Sequence, residues 1–210
     1  MKIKKILIVG FGSIGKRHYE YISKYFKNIE IGILLNKYNK KLKNKNLYFS
    51  LNDALSFRPN AAIICSPSNI HYKQCLFFAQ NSIHILVEKP IFNKIEPINK
   101  ILHHVKKNNL VFRVGYNLRY SKLLNQFKKN IKLLGQIYLV NCDVGNNIKN
   151  WRRDHYSKTV SALKTKGGGV ILELSHEIDY LNWVFGKFIK LYSNFSKISD
   201  LNINVEDNAQ

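Results

Sequence analysis

An α/β fold is predicted: a doubly wound parallel sheet in the first half of the chain, followed by an incomplete α+β part with a mainly antiparallel sheet. Three observations carry this prediction. Apolar strand-like runs alternate with helix-like stretches up to about residue 115, which is the rhythm of βαβ units. The run Ala61–Cys65 is apolar without alternation, as expected of a strand covered on both faces. The first strand-like run leads directly into Gly10-Phe11-Gly12-Ser13-Ile14-Gly15, which opens a helix-like stretch.

The elements follow from periodicity and breakers. Strands are expected at Ile3–Val9, Glu30–Leu35, Ala61–Cys65, Ile83–Val87 and Val111–Gly115. Helices are expected at Ile14–Phe26, Leu51–Phe57, Ser68–Gln80 and Ile95–Lys107. A Lys/Asn-rich loop separates the second strand from the short helix. Right-handed crossovers would bury such strands in one parallel sheet.

The rhythm changes after about residue 117, where a second domain is expected to begin (1–117 and 118–210). A helix is expected over Tyr120–Leu134, with Leu123, Leu124, Phe127 and Ile131 on one side. Gln136–Asp143 reads as a strand, and a polar loop runs on to Lys166. Gly167-Gly168-Gly169 precedes a helix to about Phe185, which Gly186 closes. Phe188–Phe195 and the start at Asn202–Val205 read as further strands.

Each glycine of the first turn has a distinct task in binding a dinucleotide. Gly10 allows the tight turn, Gly12 leaves the backbone open to a pyrophosphate, and Gly15 lets helix and strand pack closely. The helix expected from Ile14 offers N–H groups and a partial positive charge to phosphate. A Rossmann domain is expected from this turn. A turn that is only structural is the competing reading.

Composition narrows the class. The 210 residues carry a net charge of +21, mostly lysine spread along the chain among many Asn and Ile. No basic cluster is interleaved with aromatics, so no nucleic-acid partner is expected, while anionic ligands such as nucleotides are favoured. Cys65, Cys75 and Cys142 are too few and scattered for a disulfide framework or a zinc site, so no metal is expected. No apolar run reaches the ~18 residues needed to cross a bilayer, so a cytoplasmic protein without a membrane partner is expected.

Candidate chemistry lies at expected strand ends and on the late helix. Ser66-Pro67-Ser68-Asn69-Ile70-His71 follows a strand, where open α/β sheets bind ligands; Ser68 reads equally as a helix N-cap. Glu88-Lys89-Pro90 follows another. A lysine there can stabilise developing alkoxide charge, or simply sit on a surface turn. Whether the bond before Pro90 is cis is not readable from sequence. Glu173, His176 and Tyr180 share one helix face, and a histidine one turn from a carboxylate suits a general base or a half-buried structural role. After strand two, Asn36 and Lys37 offer no acid for a ribose hydroxyl, so NAD and NADP both stay open. His18 has no partner that the sequence reveals.

Together these residues resemble the Gfo/Idh/MocA family of oxidoreductases, through GFGSIGKRH at 10–18, CSPSNIHY at 65–72, EKP at 88–90, VGYNLRY at 114–120, WRRDHYSKTVSA at 151–162 and GGGVILELSHEIDYLNWVFG at 167–186. The last motifs look most like the branch that modifies sugars and nucleotide sugars for surface polysaccharides. The resemblance implies an NAD- or NADP-dependent dehydrogenase or reductase acting on a CH–OH group of a sugar or nucleotide sugar. It implies that Lys89 polarises the reacting oxygen and His176 exchanges the substrate proton. Glu173 stands three residues before His176, where many relatives carry an Asp four before; here that position is Leu172. Gly10, Gly12, Ser13, Ile14, Gly15, Asn36, Lys37, Ser66, Pro67, Asn69, His71, Glu88, Lys89 and Asn117 would frame the cofactor. Arg119, Trp151, Arg152 and Tyr180 would meet substrate. Relatives continue beyond the position of Gln210, so a poorly held second domain is expected, completed by a homo-oligomer or a partner. A catalytically inactive dinucleotide-binding or regulatory protein is the alternative.

Overall fold

A computed structural model describes residues 3–37, 42, 46–150 and 155–210. The chain forms two units, Met1–Gly115 and Tyr116–Gln210.

In the first unit, six described strands form one parallel sheet: β1 (Lys5–Val9), β2 (Glu30–Leu34), β3 (Asn46–Tyr48), β4 (Ala61–Ile64), β5 (His84–Val87) and β6 (Phe112–Val114). Their order is β3-β2-β1-β4-β5-β6. The order reverses between β1 and β4, and such a switch point opens a crevice at the carboxyl ends of the strands. β3 falls in the stretch expected to be loop. Its three residues pair with Gly32–Leu34, so a neighbouring strand supplied what the local sequence did not announce.

Alternation along β1 divides the core. Leu7 and Val9 join Ala62, Ile64, Ile85 and Val87 on the face covered by α2 (Leu51–Leu55), α3 (His71–Gln80) and α4 (Ile98–Lys107). Phe78, Ala79 and Ile101 fill that layer and are fully buried. Ile6 and Ile8 join Ile63 and Ile22 on the opposite face, under α1 (Ser13–Tyr25). Burying side chains of this size stabilises by about 1.5–3 kcal/mol each. Asn60 anchors the start of β1: its Oδ1 accepts from the Lys4 and Lys5 N–H groups at 2.8 and 2.9 Å. The helix expected from Ile95 begins at Ile98, because Pro97 caps it and disfavours helical backbone at Glu96.

The second unit departs further from expectation. α5 (Lys122–Asn130) starts after Ser121, whose hydroxyl caps it by accepting from the Leu124 N–H, and a 3₁₀ turn continues to Leu134. The expected strands at 136–143 and 202–205 do not form, and of 188–195 only Phe195 is in a strand. Among the described residues this unit has one small antiparallel pair, β7 (Phe195–Ser196) with β8 (Asn208–Ala209). A strand exists only through a hydrogen-bonded neighbour; Asn194 exchanges backbone bonds with Gln210 beside the small pair, but no described segment pairs with 136–143 or 188–193. The helix expected through Phe185 is two pieces, α6 (Val170–Glu173) and α7 (Ser175–Phe185), interrupted at Leu174 (φ −99°, ψ 25°). The first piece is tied elsewhere: Val170 N–H donates to the Glu206 carbonyl and Ser161 holds the Glu173 carboxylate. No helix among the described residues is long and apolar enough to cross a membrane.

Candidate active site

The parallel ladder runs one residue past four strands. Gly10 N–H donates to Leu34, Cys65 to Val9, Glu88 to Ile64 and Gly115 to Val87, at 2.8–2.9 Å. These bonds align the turns after β1, β4, β5 and β6 along one edge of the sheet.

The glycine turn is built for close approach. Gly10 has φ +89°, and a Cβ there would meet the Ser66 nitrogen at 3.0 Å, so the turns after β1 and β4 lie against each other at the switch point. A Cβ on Gly15 would stand 2.2 Å from the Gly10 carbonyl oxygen, which no side chain tolerates. A Cβ on Gly12 would meet nothing within 4 Å. Beyond Gly12, α1 starts with Ser13 and Ile14 and has no acidic residue in its first turn and no side-chain cap. Its positive end is therefore uncompensated by the protein. Open space in front of uncapped N–H groups fits a pyrophosphate. Asn36 and Lys37 are exposed just beyond β2.

The turns after β4 and β5 are more enclosed. Ser66 donates its hydroxyl hydrogen to Gln74 Oε1 at 2.6 Å, Pro67 caps the 3₁₀ turn Ser68–Ile70, and Asn69 is exposed. His71 is buried, its Nε2 2.7 Å from the Ser66 carbonyl and its Nδ1 3.1 Å from those of Pro90 and Ile91. Burial pushes its pKa down, while the three carbonyls and Glu88 oppose that shift. Burial likewise raises the Cys65 thiol and pushes Cys75 up to about 12, so both stay protonated near neutrality. Glu88 accepts from His18 Nε2 at 2.8 Å, and its carboxylate lies 3.0 Å from where a Gly115 Cβ would be. Lys89 is half-buried and its bond to Pro90 is cis.

In the second unit, the expected groups have partners of their own. The His176 ring packs edge-on against Tyr116, centroids 5.6 Å apart. Glu173 accepts from the Ser161 hydroxyl at 2.7 Å. Arg119 forms a two-pronged pair with Asp179, at 2.8 Å from Nε and 2.7 Å from its terminal nitrogen, which raises the guanidinium pKa. Tyr180 shares a hydrogen with Cys142 Sγ at 2.9 Å, and that bond, with burial, raises its hydroxyl to about 12. Asn117 opens the exposed 3₁₀ turn that carries Arg119. Trp151 and Arg152 lie outside the described residues.

The model of an oxidoreductase family with an NAD-binding Rossmann fold, Gfo/Idh/MocA, matches residues 4–116. The chain belongs to this family. An uncharacterized oxidoreductase of Synechocystis is 28% identical over 173 residues, 73% of this chain and 43% of that protein. The myo-inositol 2-dehydrogenase of Thermotoga maritima is 21% identical over 201 residues, 89% of this chain and 56% of that enzyme. The fold is similar to that of the WlbA dehydrogenase of Bordetella pertussis, solved with NADH and UDP-GlcNAcA, at a TM-score of 0.82 and 22% identity, covering 99% of this chain and 62% of that one. The chain thus spans about half the length of the curated relatives it matches.

Sequence reasoning missed several partners of the expected Gfo/Idh/MocA motif residues. His18 lies 70 residues from Glu88, Ser161 precedes Glu173 by 12, and Asp179 lies 60 from Arg119. His18, Ser161 and Asp179 all lie inside quoted motifs, but no spacing linked them to these partners.

Proposed function

We propose that this protein is an NAD(P)-dependent oxidoreductase that acts on a carbinol or keto carbon of a sugar or nucleotide sugar. The observation that carries the proposal is the glycine turn, with open space at Gly12 facing the uncapped start of α1 in a family-matched domain. The sugar class is supported by the names of the relatives, an inositol dehydrogenase and an enzyme solved with a UDP-sugar. A role in building surface polysaccharide and a cytoplasmic setting extend the same reading.

In this mechanism, Gly10–Gly15 hold the pyrophosphate, Asn36 and Lys37 meet the adenosine ribose, and Ser66, Pro67, Asn69 and Glu88 frame the nicotinamide end. When bound, the nicotinamide supplies hydride chemistry. Lys89 donates a hydrogen bond to the reacting oxygen and stabilises charge that develops there. His176 exchanges a proton with the substrate hydroxyl, a task suited to an imidazole near neutral pH. Glu173 and Tyr116 orient that histidine. Arg119 keeps N–H groups beyond its pair with Asp179 for substrate oxygens, and Asn117, Tyr180, Trp151 and Arg152 are the further substrate contacts of this reading. The test is a screen of UDP-hexoses and inositols with each nicotinamide cofactor, read by absorbance. Turnover lost in both Lys89→Ala and His176→Ala supports the roles; turnover intact in either removes that residue.

A second reading, dinucleotide binding without turnover, is favoured by the exposed apolar segments of the second unit, where Leu139 is 77% and Ile189 97% exposed. Association with a second copy or another partner would cover them. Binding of NADH without turnover, by a chain that associates with a second copy or a partner, would favour this reading over the first.

A further inference from the structure

The turn that carries Lys89 is gripped by two histidines from two different helices. His18 of α1 holds Glu88, and His71 of α3 reaches the carbonyls of Pro90 and Ile91. The second grip has an unusual balance. Both nitrogens of the buried His71 ring face carbonyl oxygens, and carbonyls only accept. A neutral imidazole carries one N–H, so it can serve the Ser66 carbonyl or the Pro90–Ile91 pair, but not both. The shorter contact, 2.7 Å to Ser66, marks Nε2 as the nitrogen that keeps its hydrogen. Only the imidazolium donates on both sides.

We propose that His71 is a proton-operated positioning residue for Lys89: charged, it ties the Glu88–Ile91 turn to the turn after β4, and neutral, it keeps Ser66 and releases the Pro90 and Ile91 carbonyls. The link to catalysis rests on the role proposed for Lys89; the switch itself does not. Among the described residues, Glu88 is the charged group whose field acts on the ring, and it is itself paired with His18. Burial works against the charged ring, so release prevails near neutrality and the tie forms on acidification, below the usual histidine midpoint of about 6.5.

The test uses the full chain with ¹⁵N-labelled histidine, followed by long-range ¹H–¹⁵N spectra from about pH 8 down to about pH 5, the range that brackets a histidine. Disappearance of one ring system in His71→Gln assigns the signals. The expected result is a ring protonated at Nε2 alone at the alkaline end that moves to the two-proton pattern on acidification. In the same step, amide exchange at Glu88, Lys89 and Ile91, corrected for intrinsic rates, slows relative to β1 and β4. His71→Leu should leave that exchange fast at every pH, and His71→Gln, whose side-chain amide donates at any pH, should keep it slow throughout. A ring protonated at Nδ1 at the alkaline end, a ring that never changes pattern, or turn exchange that ignores the titration would each overturn the proposal. If one variant fails to fold, the other assigns the ring signals, and the pH dependence of wild-type turn exchange still tests the proposal. No readout involves turnover or a bound cofactor, so failure of the enzyme reading leaves the switch standing. Once a substrate is found, kcat unchanged in His71→Leu would sever the link to Lys89 alone.

Discussion

The two units carry similar strand-forming sequence and use it differently. In the first, every expected strand found a parallel neighbour, and Leu7, Ile8, Ile33 and Ile64 are almost wholly shielded from water. In the second, 136–143 and 188–193 are also rich in Ile, Leu, Tyr, Val and Phe, yet they lie exposed without a ladder. The difference teaches that β propensity describes fitness for a half-buried sheet surface and not an ability to form one alone. It also separates function. The dinucleotide cradle stands on the packed sheet, while the proposed proton donor stands on a helix whose unit has little sheet behind it.

The sharpest way to break this contrast is to cut each region equally. Phe78→Ala empties a fully buried site and should cost about 3–5 kcal/mol in urea unfolding of the first unit. Leu139→Ala should change stability by less than about 0.5 kcal/mol, because that side chain already faces water. Equal losses would refute the contrast. A smaller effect tests the cradle's specificity: Lys37→Asp should shift preference from NADPH toward NADH by about tenfold, or ~1.4 kcal/mol, read as a ratio of dissociation constants. An unchanged ratio would place the adenosine ribose elsewhere. Smallest of all, Arg119→Ala should cost the second unit about 0.2–1 kcal/mol, falling with added salt, because the arginine is partly exposed. A larger, salt-independent loss would make this pair a structural pillar of the second unit.

Legibility in the sequence followed the same divide. Periodicity and the glycine turn placed five of the parallel strands and the residues at their carboxyl ends, because local pattern and burial agree there. β3 was illegible because three residues, Asn46–Tyr48, carry no pattern and take their structure from β2. The strands expected at 136–143 and 188–195 were misread, but for the paired end at Asn194 and Phe195, because pattern was present and described neighbours were not. The break at Leu174 and the pairs His18–Glu88 and Arg119–Asp179 depend on tertiary contacts that no spacing encodes. His71 was legible as a residue just after a strand end, but the direction of its ring nitrogens, toward three carbonyls, was not.

The central claim is that the first unit is a dinucleotide cradle whose open point is Gly12. A fluorescence titration of the full chain with NADH and NADPH, repeated with Gly12→Asp, tests it directly. The substitution puts a carboxylate into open space, so the fold should survive while saturable binding weakens by more than about tenfold. A folded wild-type chain that binds neither cofactor, or a variant that binds both as well as wild type, would contradict the claim.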